Sequence, residues 1–194
     1  MKKLRKISTL GTLVSLFAAQ SVFAHPGHDF ASGAMAGLMH PLTGIDHLIA
    51  LICVGALFAL APARVRWTGV VAMLASLWAG ASVGLAGIAL PASESMIALS
   101  VVVAGVMLVR SGSTKPALLI AGSVIFSLFH GYAHGVESSA DAAAFVTGFI
   151  VTSFAVVTLS MRAVGALLQP KLLLRGLGTG SGIVGIALLA ALAI

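Results

Sequence analysis

The sequence predicts an all-α, polytopic membrane protein: a six-transmembrane-helix bundle behind a cleavable signal peptide. Three observations carry that expectation. Of 194 residues, 59% are hydrophobic and only 8% are charged, where a soluble domain has about 25% charged residues. The apolar residues gather in six long runs after the N-terminal region. Basic and acidic residues then segregate into alternate connections between those runs.

The elements follow in chain order. Lys2, Lys3, Arg5 and Lys6 precede a short apolar run from Ile7 to about Ala19, and Val22-Phe23-Ala24 supplies the compact residues of a cleavage site. This pattern predicts a signal peptide over 1–24; the alternative is an uncleaved first helix, for which the apolar core is short. Cleavage leaves 25–194 as a six-helix transmembrane domain, beginning His25-Pro26-Gly27-His28-Asp29. His25, His28 and Asp29 form a candidate metal-capture segment. Pro26 lacks the backbone N–H that an amide-bound copper or nickel site of the N-terminal type would need.

The six expected spans lie near 43–61, 67–88, 94–110, 116–135, 142–161 and 176–194. The third and last are close to the ~17-residue minimum for crossing a bilayer. Pro62, Pro91, Pro116 and Pro170 fall at their ends, where the missing N–H costs least. Arg64, Arg66, Arg110, Lys115, Arg162, Lys171 and Arg175 all lie in or beside one set of loops. Asp29, Asp46, Glu94, Glu137 and Asp141 all lie at the other side. The positive-inside rule therefore puts the mature N-terminus and the C-terminus outside. This distribution also explains the sequence pI of about 10.3 without nucleic-acid binding. A single cysteine, Cys53, excludes an intramolecular disulfide and any Cys-rich metal site.

Two polar islands interrupt the apolar chain. The first is His40-Pro41-Leu42-Thr43-Gly44-Ile45-Asp46-His47, where the first span begins. Pro41 and Gly44 are expected to break the helix there. The second is Phe129-His130-Gly131-Tyr132-Ala133-His134-Gly135-Val136-Glu137. Its two imidazoles and carboxylate recur along one helical face. Gly131 and Gly135 leave room for a helix or an ion to come close. The topology brings both islands to the outer side, so His40, Asp46, His47, His130, His134 and Glu137 form the candidate metal site. Imidazole with carboxylate suits nickel, cobalt, zinc or ferrous iron. Ionisable side chains near membrane depth usually mark a pathway or site.

Other residues receive structural readings. Cys53 is expected to be a buried small residue, Met35 and Met39 to pack or anchor at the interface, and Asp141 to cap a helix. Trp67 reads as an interface anchor, Trp78 as a packing residue and Glu94 as a solvated loop residue. Gly80 with Gly84, and Gly178 with Gly182, are spaced for close helix contact.

The two islands resemble the signature motifs of the HupE/UreJ family. The likeness extends to the leader, the His-Pro-Gly-His start of the mature chain and the six-span layout. It implies a secondary permease, not an enzyme, that imports Ni²⁺ or Co²⁺ across the bacterial inner membrane. It also implies no permanently bound cofactor, and supply of metal to hydrogenase or urease. Partners on this reading are the divalent ion, the bilayer, a metallochaperone or hydrogenase/urease maturation proteins, and a second copy in a homo-oligomer. Two alternatives remain at this stage: a non-transporting accessory protein for metalloenzyme maturation, and a membrane haem protein with paired histidine ligands. An intramembrane metalloenzyme would need an open coordination position that sequence does not reveal.

Overall fold

The computed structural model describes residues 33–110, 114–138, 141–167 and 171–193. The signal-peptide expectation and the capture residues His25, His28 and Asp29 lie outside them. Among the described residues the chain forms seven helices: α1 Ala34–Thr43, α2 Ile45–Ala59, α3 Ala63–Leu85, α4 Ser93–Val109, α5 Pro116–Glu137, α6 Ala142–Gly165 and α7 Lys171–Ala191.

The additional element is α1, and it corrects the expected local break. Pro41 is buried inside α1 and does not end it. The break falls at Gly44, which is extended (φ −79°, ψ 110°) and bends α2 by 80° from α1. Helices α3, α5, α6 and α7 are each long and apolar enough to cross a membrane. The bent α1–α2 pair passes the same test only together, giving four or five crossings by length and composition instead of the six expected. The reason is length. At ~1.5 Å per residue, the 15 residues of α2 and 17 of α4 fall short of a ~30 Å hydrocarbon core. The final helix also starts earlier than expected, at Lys171.

Punctuation follows local chemistry. Pro62 precedes α3 and Pro116 opens α5, where no intrahelical donor is lost. Asp141 caps α6 as expected, accepting from the Ala144 N–H at 3.3 Å. Arg66 closes the turn between α2 and α3. Its guanidinium donates to the carbonyls of Phe58 (3.2 Å), Ala59 (3.0 Å) and Ala61 (3.2 Å), taking up acceptors that the end of α2 leaves free.

Close backbone contact organises the bundle. Gly80 and Gly84 of α3 lie against the Leu128 and Tyr132 carbonyls of α5, while Gly131 and Gly135 of α5 lie against the Leu77 and Ala81 carbonyls of α3. A Cβ at any of the four would collide with backbone. The small surface foreseen at Gly131 and Gly135 is therefore filled by a helix. Gly105 and Gly178 bring α4 and α7 together in the same way, as Gly37 and Gly148 do for α1 and α6. Each of these pairs also shares a hydroxyl-to-carbonyl bond: Ser76 to Val124 (2.6 Å), Ser181 to Val101 (2.7 Å) and Thr152 to Leu38 (2.8 Å). In a bilayer such bonds contribute modestly, on average about 0.6 kcal/mol.

Cys53, Phe58, Met73, Leu108, Phe149 and Val157 are buried in the interior. Val71, Leu159, Leu172 and Ile183 face outward, as helices facing hydrocarbon do. Trp78 joins them at 61% exposure and is not the packing residue expected. The face of α3 that meets α5 is already taken by Gly80 and Gly84, so the indole turns away. Trp67 is exposed and Cys53 fully buried, both in keeping with their readings.

Replacing Gly131 with leucine tests this arrangement. The side chain must displace the α3 backbone at Leu77, and overpacking of this kind costs about 1–3 kcal/mol. The expected result is a clearly lowered melting temperature in detergent, while Gly122→Ala, whose Cβ meets nothing within 4 Å, does not lower it.

Candidate metal centre

The six residues singled out in the two polar islands meet at one end of the bundle. The α3–α5 contact decides which way they face. With Gly131 and Gly135 turned onto α3, the face bearing His130 and His134 turns inward, and these imidazoles are only 8% and 2% exposed. Helix α2 brings Asp46 and His47 in its first turn, directly after the Gly44 bend. Helix α1 carries His40 back over the same end. The ring centroids of His134 and His47 are 4.6 Å apart, those of His134 and His40 4.7 Å, and those of His47 and His130 4.7 Å. Phe149 of α6 packs on His134 at 4.5 Å, and Phe145 on His40 at 5.4 Å.

Hydrogen bonding separates the roles. The Asp46 carboxylate accepts from the His47 backbone N–H and lies 2.8 Å from His47 Nδ1. A carboxylate only accepts, so Nδ1 carries the proton and Nε2 presents its lone pair. His47 Nε2 is buried without a hydrogen-bond partner, and so is His134 Nδ1. On the far side of the cluster, Ser100 Oγ donates to the Ile97 carbonyl at 2.6 Å and lies 2.9 Å from His130 Nε2. The hydroxyl has one proton, already committed to Ile97. His130 Nε2–H is therefore the donor to Ser100, and Nδ1 is the bare nitrogen.

The more open edge is formed by His40 and Glu137, whose side chains are 30% and 50% exposed. His40 Nε2 lies 3.0 Å from Glu137 Oε2. Each of His40, His134 and Glu137 offers one ligand atom, and the three lie within 4.8 Å of one another. Neighbouring donors at right angles around an ion with ~2.1 Å bonds sit ~3 Å apart, the spacing of the His40–Glu137 pair. Sharing one ion would draw the remaining donors inward from separations of up to 4.8 Å.

Two participants were not anticipated. Ser100 is the one hydroxyl in the apolar stretch of α4 from Met96 to Val109, and hydropathy gives no sign that it meets a histidine. For Glu94 the sequence predicts a solvated loop residue. It is exposed, yet lies close enough to interact electrostatically with Glu137, Asp46 and His47. Its position at the same end of the bundle as the two islands was the available signal.

Buried imidazoles, a carboxylate fixing a tautomer and unpartnered ring nitrogens within a helical bundle of apolar exterior define a polytopic membrane protein with a His/carboxylate cluster. The chain belongs to the HupE / UreJ protein family, matching it over residues 13–188. It is 34% identical over 155 residues to Protein HupE of Rhizobium leguminosarum bv. viciae, covering 78% of each chain. No solved structure matches it.

The tautomers can be read directly. Nitrogen-15 spectra of histidine-labelled protein at neutral-imidazole pH are expected to show His47 protonated on Nδ1 and His130 on Nε2. Ser100→Ala should shift the His130 signals and leave those of His47 in place.

Proposed function

We propose that the chain is a secondary transporter importing Ni²⁺ or Co²⁺ across the bacterial inner membrane. The observation that carries this reading is the pairing of two partnerless buried nitrogens, His47 Nε2 and His134 Nδ1, with the His40–His134–Glu137 ligand set. Buried polar atoms normally find partners, and a cation is the partner that several imidazole lone pairs and a carboxylate would share. Family membership supports a nickel or cobalt substrate.

His40, His134 and Glu137 hold the ion, with His47 Nε2 and His130 as the deeper imidazoles next to it. Asp46 acts through His47, keeping the lone pair aimed inward, as carboxylates behind metal-binding histidines do. This narrows its earlier role from candidate ligand to orienting group. His25, His28 and Asp29 would gather ions before they reach the cluster. The cluster end faces the periplasm on this reading, both mature termini lie there, and the membrane potential drives inward movement at ~2.3 kcal/mol per charge per 100 mV. The imported ion would serve metalloenzymes such as hydrogenase or urease.

Imidazoles packed edge-on or tilted at 4.6–4.7 Å between centroids leave no slot for a porphyrin plane, which weighs against the haem alternative. An accessory protein that binds without transporting is distinguished by uptake of labelled nickel into proteoliposomes. Uptake supports the transporter; binding without uptake overturns it.

Mutation should divide ligands from supports. His134→Ala is expected to abolish uptake and weaken nickel binding beyond detection by calorimetry. Asp46→Asn is expected to weaken binding by about 10–100-fold without removing it. Because protons compete for the same nitrogens, binding should release protons and weaken as pH falls. Calorimetry in buffers of different ionisation enthalpy would measure that release directly.

A further inference from the structure

Beneath the histidines the bundle is not solid. A cavity of about 60 Å³ opens between α2, α4 and α5. His47, His130 and His134 line one end of it, and Leu57 and Leu119 the other. Ser127 and Ser123 continue the polar face of α5 away from the histidines at helical spacing, and both line the cavity. A second cavity of about 90 Å³ lies at the opposite end of the bundle, bordered by Leu60, Ala61, Pro62, Thr114 and Pro116. The two cavities share two lining residues, Leu57 of α2 and Leu119 of α5. These side chains are 5% and 6% exposed.

We propose that Leu57 and Leu119 form the inner gate of the translocation path: a dry, two-leucine closure between the cavity below the histidine cluster and the chamber at the opposite mouth. The inference rests on the transporter reading and adds the route and its barrier. An ion leaving the histidines would meet the Ser127 and Ser123 hydroxyls, then a constriction with no polar side chain. Hydrophobic constrictions of this kind stop ions by excluding water. The closure is held from both helices. Leu57 sits one residue before Phe58, whose carbonyl accepts from Arg66, so the end of α2 is fixed to α3. Leu119 is in the first turn of α5, its N–H bonded to the Lys115 carbonyl at 3.1 Å.

The test uses the full chain in proteoliposomes, with labelled nickel as the probe and equilibrium nickel binding measured in parallel. Leu119→Trp should lower uptake at least tenfold while leaving binding within about threefold of wild type. The Leu57→Ala/Leu119→Ala double variant should bind normally and leak preloaded nickel several-fold faster without a membrane potential. Wild-type uptake by the tryptophan variant, or wild-type leak by the alanine pair, overturns the gate. If the tryptophan variant loses binding as well, the leak of the alanine pair decides alone. Wild-type protein that binds nickel yet carries none across would instead overturn the transporter reading.

Discussion

Two helices approach at backbone distance only where neither puts a side chain in the way, and that constraint governs this fold. Gly80 and Gly84 on α3 face Gly131 and Gly135 on α5, each beside a carbonyl of the other helix. Once that face of α5 is committed to α3, the rotation of the helix is no longer free. His130 and His134 each precede a glycine by one residue, so they point away from α3 toward the interior. The same glycines would be unremarkable in a loop. Here they convert a packing preference into the orientation of two imidazoles.

Around those imidazoles the polar chemistry is graded. Ser100 and Asp46 each take one ring nitrogen and leave the other bare. His134, among the most enclosed of the four, has Phe149 against its ring and a nitrogen without a partner. Glu137 and His40 form the more open rim. Charge is thus accessible at the edge and unpartnered lone pairs lie deeper.

Much of the candidate site was legible because its residue types are costly in an apolar chain and their spacing fixed their face. His130, His134 and Glu137 could hardly share a helical face by composition alone. Asp141 as a cap and the close-packing role of Gly80 and Gly84 were legible for similar reasons: one local interaction determines each. What remained hidden depends on how apolar helices turn relative to one another. Hydropathy does not distinguish an inward from an outward indole, so Trp78 was misassigned. It does not reveal that Ser100 meets His130, since the partners are thirty positions apart. The short helix α1 was missed because proline so often ends a helix, whereas Pro41 lies within one and Gly44 makes the turn.

That turn has a consequence for α6. Because the chain bends by 80° at Gly44, His40 does not share a rigid rod with Asp46 and His47. Its seat is set by α1, which is moored to α6 through Gly37, Gly148 and the Thr152–Leu38 bond. A helix that lends no donor atom therefore determines where one donor rests. Natural variation along that seam would retune the cluster while every histidine and carboxylate stayed in place.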